Sequence, residues 1–114
     1  MASTKNGLIQ GTLELLILAT LKTGPKHGYG IVQSIRENGD GRLNIEDGSL
    51  YPALYRLEGR GFVTAEWGVS ENNRKAKFYK ITAAGRKGLE SERENWESVS
   101  EAISKVLRVA RAES

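Results

Sequence analysis

Apolar residues recur at helical spacing from Leu8 to Leu57, drop to a period of two at Phe62, and return to helical spacing after Thr82. That double switch constrains the fold more than any other feature. A helical period buries a stripe, whereas a period of two buries one face of a strand, so the chain must run helices, hairpin, helix. The first helix spans about Leu8 to Lys22, with Leu8, Thr12, Leu15, Leu16 and Ala19 in register and Leu13, Ile17, Leu18 and Leu21 around them. A helix apolar on most of its circumference is a buried core post. Gly24-Pro25 stops it. A second, shorter helix follows over His27 to Arg36, with Ile31 and Ile35 one turn apart, and ends in the polar run Glu37-Asn38-Gly39-Asp40-Gly41.

The third helix shows an inward stripe of Leu50, Ala53, Leu54 and Leu57, and Glu46-Asp47-Gly48-Ser49 offers capping oxygens ahead of it. Pro52 falls within the first turn or just past it, where a missing N–H costs least. Gly59-Arg60-Gly61 ends the helix. Strands are expected at Phe62 to Trp67 and Ala76 to Ile81, joined by a long polar tip from Gly68 to Lys75. The last helix starts at Thr82 as N-cap and runs to about Ala110. Gly85 and Gly88 weaken its first two turns, which packing must therefore hold. From Leu89 a heptad emerges, with Leu89, Trp96, Ile103 and Ala110 in one row and Val99 and Val106 in the other, broken at Glu92.

The 114 residues, 39% apolar, suffice for one compact core, and a second independent domain is not expected. Zero cysteines and the single histidine, His27, leave no thiolate, no metal-site pair and no nucleophile relay, and no Gly-rich phosphate loop is present. An enzyme is not expected, nor is a cofactor. The longest apolar run, Leu13 to Leu21, is far short of the ~20 residues a membrane span needs, and no signal-peptide pattern precedes it, so a soluble, cytoplasmic protein is expected. Residues 1–88 carry 13 Lys/Arg against 8 Asp/Glu, and residues 89–114 carry 4 against 6. A basic body attracts polyanions, above all nucleic acid.

This order reads as an α+β, mainly helical architecture: a winged helix-turn-helix over residues 1–81, then a C-terminal dimerisation helix over residues 82–114. In that architecture the third helix enters the DNA major groove and the hairpin tip reaches the adjacent backbone or minor groove. Ser49, Tyr51, Pro52, Tyr55 and Arg56 form the outward set of the third helix. Asn73, Arg74, Lys75 and Lys77 supply the hairpin with donors and cations for phosphate oxygens, and Lys26 is a long exposed cation beside them. Each member also has a plainer reading: Tyr51 and Tyr55 as covers for apolar surface, the tip as a solvated turn, His27 as a helix cap or packed ring. Glu46 and Asp47 serve either as caps or to repel wrong registers.

Three motifs carry a family resemblance. His27-Gly28-Tyr29-Gly30-Ile31, then Gly48-Ser49-Leu50-Tyr51-Pro52-Ala53-Leu54-Tyr55-Arg56-Leu57-Glu58, then Asn72-Asn73-Arg74-Lys75-Ala76-Lys77-Phe78-Tyr79 with Thr82-Ala83-Ala84-Gly85, together resemble the PadR family of bacterial transcriptional regulators. The match covers about residues 8 to 108 and is similar in length to the short, single C-terminal helix subfamily. The resemblance implies a homodimeric repressor bound to a double-stranded DNA operator, with small planar or phenolic molecules releasing some members. It places the reading helix on Ser49 to Leu57, the wing on Glu71 to Lys77, and a phosphate-reaching tyrosine at Tyr29. Trp96 then has two roles open to it. It is a knob in a dimer seam with Leu89, Val99, Ile103 and Val106, or one wall of a dyad cavity sandwiching a small planar aromatic effector. A winged-helix protein-interaction module without a DNA target is the alternative function.

Overall fold

The computed structural model describes residues 11–113; Leu8, assigned above to the first helix, lies outside them. The elements run α1 (Thr12–Leu21), β1 (Lys26–His27), α2 (Gly28–Asn38), α3 (Asp47–Gly59), β2 (Val63–Val69), β3 (Lys75–Ile81) and α4 (Ala83–Glu113). The fold class and the helix–hairpin–helix order expected from periodicity are both present.

Helix α1 buries Ile17, Leu18, Thr20 and Leu21 at the centre of the core, against α2, α3, α4 and β3. The Thr20 hydroxyl donates to the Leu16 carbonyl at 2.8 Å, so burial leaves it satisfied. Gly24, at φ 143°, turns the chain in a region that side chains avoid, and Pro25 prevents continuation. The next two residues then pair with β3, Lys26 opposite Tyr79 and His27 opposite Phe78. Two residues are too few to leave a period in the sequence, so this strand is set by its partner alone. The result is a three-stranded antiparallel sheet, β1-β3-β2, with β3 in the middle.

His27 does both things expected of it. Its Nδ1 accepts the Gly30 N–H at 3.1 Å as the α2 cap, and its ring stands edge-on to Phe78 with centroids 5.4 Å apart. Helix α3 buries Leu50, Ala53, Leu54 and Leu57, the expected stripe. It begins earlier than the capping residues suggested: Glu46 occupies the cap position without a side-chain bond, and Ser49 N–H reaches the Glu46 carbonyl at 2.9 Å. Ser49 is therefore inside the helix, and Pro52 lies beyond its first turn, leaving the Gly48 carbonyl without its usual helical donor.

The hairpin strands are longer than expected and its turn shorter. Ser70 N–H bonds to the Arg74 carbonyl and Asn73 N–H to the Ser70 carbonyl, each at 2.8 Å. Asn73 at φ 60° supplies the left-handed residue, a conformation asparagine tolerates. Lys75 and Lys77 thus belong to β3 rather than to the tip.

Thr82 caps α4 as expected, its Oγ1 accepting the Gly85 N–H at 3.0 Å and donating to the Gly61 carbonyl at 2.7 Å. Packing holds the glycine-weakened turns. A Cβ on Gly85 would overlap the Phe62 carbonyl oxygen and come 2.8 Å from Ile81 Cγ1, and one on Gly88 would meet the Phe62 ring. Leu89 is 1% exposed and belongs to the same core as Ile17 and Leu57. This corrects its assignment to the dimer seam, because its side chain is already spent inside the chain. From residue 101 onward every described residue of the helix is exposed, and the described residues extend 57 Å on the long axis against 27 and 22 Å on the others.

Candidate nucleic-acid interface

Two surfaces concentrate exposed aromatic, apolar and basic side chains. The first gathers α2, α3 and the hairpin. Tyr29, Tyr51 and Tyr55 are 68%, 56% and 78% exposed, unusual for tyrosines in a chain with a core to fill. Tyr51 lies directly over Gly28: a Cβ there would overlap the Tyr51 hydroxyl and stand 2.8 Å from its Cζ. The glycine at the head of α2 thus admits the tyrosine of α3. Tyr55 follows one turn on. Beneath them Tyr79 is buried, and burial, with Tyr51 and Glu58 adding to it, pushes its hydroxyl above the ordinary tyrosine value.

Pro52 is exposed on α3 and Ser49 half-buried. Asn73, Arg74, Lys75 and Lys77 are all exposed on the hairpin, where their donors are open to phosphate oxygens. Lys26 is half-buried on β1, and its Nζ donates to the Thr23 hydroxyl at 3.2 Å, which ties it back toward the end of α1.

Arg56 is drawn away from the outward set. Its Nε donates to Glu14 of α1 at 2.7 Å, and Arg60 Nη1 donates to the other Glu14 oxygen at 3.2 Å. Arg60 Nη2 continues to Glu92 of α4 at 3.3 Å, while the guanidinium carbon lies 4.3 Å from the Phe62 ring centroid. This chain of charges ties α1, α3 and α4 together, and it explains the charged residue that interrupts the heptad: Glu92 faces the body, not a helical partner. No sequence spacing reveals it, since Arg56 and Glu14 are 42 residues apart.

The second surface is the projecting part of α4. Trp96, Val99 and Ile103 are about half-exposed, and Val106, Leu107 and Val109 are exposed further. Leu107 and Val109 widen the row beyond the two heptad positions read from sequence. Where the row begins, a half-open groove of about 380 Å³ lies between α4 and the start of α1, lined by Thr12, Leu15, Glu92, Trp96, Val99 and Ile103 among others. Among the described residues no cluster of His, Asp and Glu could hold a metal ion, and no helix is long and apolar enough to cross a membrane.

Comparison with known proteins agrees with this geometry. A transcriptional regulator from Clostridium thermocellum superposes with a TM-score of 0.77 at 33% identity, over 85% of this chain and 94% of that one. A PadR family transcriptional regulator from Eggerthella lenta gives 0.72 at 32% identity, over 86% and 83%. A transcriptional regulator of Mycobacterium tuberculosis is 29% identical over 94 residues, 82% of this chain and 84% of its own length. These relatives are regulators, not enzymes. The family model of the transcriptional regulator PadR-like family matches residues 17–91, and the chain belongs to that family of DNA-binding regulators of transcription.

Proposed function

We propose that the protein is a homodimeric, cytoplasmic repressor that grips a roughly palindromic operator and lets go when a small planar aromatic molecule binds. In this reading residues 1–81 read DNA and residues 82–114 pair the protomers. The observation that carries it is the exposed apolar row of α4, from Trp96 to Val109. Apolar surface of that length is stabilised by a second copy of itself, because a helix stripe on a two-fold axis is self-complementary. Two reading heads then meet successive major grooves when their third helices stand about 34 Å apart.

Within each head, Ser49, Tyr51, Pro52 and Tyr55 present α3 to base edges, Tyr29 and Lys26 reach the flanking backbone, and Asn73, Arg74, Lys75 and Lys77 hold phosphates from the wing. Arg56, engaged by Glu14, sets the angle of α3 on the body and meets the duplex only from its exposed edge. The groove beside Trp96 is within the size range of small-molecule sites, and it adjoins the arm that fixes the spacing of the heads. A ligand that prefers one spacing shifts the dimer away from the other, which is all that release requires.

The test is fluorescence anisotropy of a labelled duplex from the DNA upstream of the gene, titrated at two salt concentrations beside a scrambled duplex. Tight binding that prefers the upstream duplex and falls steeply with salt is expected. Equal weak binding to both moves the operator elsewhere, and none at low salt returns the protein to the interaction-module reading.

A further inference from the structure

We propose that Trp67 is a DNA-contacting residue of the wing, its indole seated on the deoxyribose rail of the duplex between two phosphates held by Lys75 and Lys77. The proposal rests on the DNA-binding reading above and adds to it an apolar contact that no charge pattern suggests. Its basis is the register of the hairpin. Val63 pairs with Ile81, Ala65 with Tyr79, Trp67 with Lys77, and Val69 with Lys75. Alternate residues of a strand share a face, so these eight side chains line one face of the sheet.

At the base that face is core: Val63, Tyr79 and Ile81 are buried. Two residues farther out it emerges into solvent and shows Trp67 and Val69, both 65% exposed, with a lysine opposite each. The Lys75 Nζ stands 5.8 Å from the indole centroid. Neither lysine takes part in the ion pairs between described residues. Of the two hairpin carboxylates, Glu66 lies on the opposite face, across from Phe78, and Glu71 lies in the turn without an ion pair to either lysine.

An indole flanked by two ammonium groups that no described carboxylate pairs selects its occupant by charge. A second copy of this chain, with net charge +3, brings further cations, and an apolar partner leaves both lysines desolvated and unpaired. A nucleic-acid backbone offers what the face needs, anionic phosphates alternating with the apolar edge of each sugar. The patch is also continuous with the Ser70–Arg74 turn, whose exposed Asn73 and Arg74 already belong to the proposed interface.

An apolar contact and an ionic one differ in their salt response, because only the latter releases counterions. Trp67→Ala should weaken upstream and scrambled duplexes alike by about tenfold, in the range of an aromatic contact to nucleic acid, with the slope of log affinity against log salt unchanged. Trp67→Phe should recover most of the loss. Lys75→Ala should instead flatten that slope by about one phosphate's worth. If Trp67→Ala merely deformed the wing, Arg74, Lys75 and Lys77 would lose their contacts together and the slope would fall by more than one unit.

The wild-type protein supplies a direct readout, since it contains only two tryptophans. With 5-fluorotryptophan incorporated, Trp67→Phe assigns the two fluorine resonances. Saturating duplex should shift the Trp67 resonance and suppress its solvent isotope effect. A labelled duplex that binds while Trp67 stays fully solvent-sensitive overturns the proposal and leaves the DNA-binding reading standing. Failure of the wild-type protein to bind any duplex overturns both.

Discussion

Two glycine-to-alanine substitutions, chemically identical, should move stability in opposite directions. At Gly85 a methyl group would overlap the Phe62 carbonyl oxygen and sit 3.0 Å from its carbon, so the neighbour that must yield is backbone rather than a flexible side chain. Inserting a methyl group into a packed site costs about 1–3 kcal/mol, and a rigid neighbour puts Gly85 at the upper end. Relief requires α4 to lift from β2, which stretches the 3.0 Å bond from Thr82 N–H to that same Phe62 carbonyl and forfeits about 1 kcal/mol more. Helix propensity returns about 1 kcal/mol, for a net loss of about 3 kcal/mol. Gly59, also helical, has nothing within 4 Å of its Cβ position, and there alanine should add up to about 1 kcal/mol by restricting the unfolded chain. The pair should therefore differ by about 4 kcal/mol, or roughly 15 °C in melting temperature for a chain of this size. Thermal and urea unfolding followed by circular dichroism, at one protein concentration so that self-association contributes equally, measures the difference. Two variants within 1 kcal/mol of each other would refute the argument that Gly85 is selected for close approach of α4 to Phe62.

Ile103→Glu should convert the proposed dimer to monomer. It removes about 1 kcal/mol of further burial per protomer and adds the several-kcal/mol cost of desolvating each carboxylate, so dissociation should strengthen by at least about 10⁴-fold; a dimer surviving in sedimentation equilibrium would place the interface elsewhere. Arg74→Ala should weaken binding to every duplex and flatten the salt slope by about one unit, and anisotropy titrations that show a sequence-selective loss would contradict a phosphate role. Glu14→Gln should release Arg56 and Arg60 from α1 and lower stability by about 1 kcal/mol, the modest scale of pairs with exposed partners; an unchanged Arg56 Nε–H resonance would show that the pair does not persist in solution. Tyr79, whose hydroxyl is held above its ordinary value first by burial and then by Tyr51 and Glu58, loses its proton more readily unfolded than folded. The wild-type protein should then lose stability as pH rises beyond about 10, and Tyr79→Phe should lessen that alkaline slope. An identical slope in both proteins would place Tyr79 in contact with water.

The amino-acid sequence alone determined everything that depends on neighbours within a few residues. The helical stripe Leu50–Ala53–Leu54–Leu57 is buried as its spacing requires, and Thr82 caps α4 because its hydroxyl can reach the amide three residues on. The hairpin follows from a change of period, and the three motifs at Gly28, Tyr51 and Lys77 suffice for the family. Tertiary structure decided what depends on distant partners. The two residues of β1 become a strand only because β3 runs beside them. Leu89 has the same spacing as Trp96 and Ile103, yet it falls into the core because α4 is still docked on Phe62 at that turn. Arg56 has the chemistry of a base-reading residue, but Glu14, 42 residues away in sequence, accepts its Nε–H at 2.7 Å and claims it. Trp67 looks like an ordinary strand residue until the register sets it beyond the edge of the core between two lysines. Local periodicity sets which face of an element is apolar, and only packing settles which part of that face meets its own chain and which remains for another molecule.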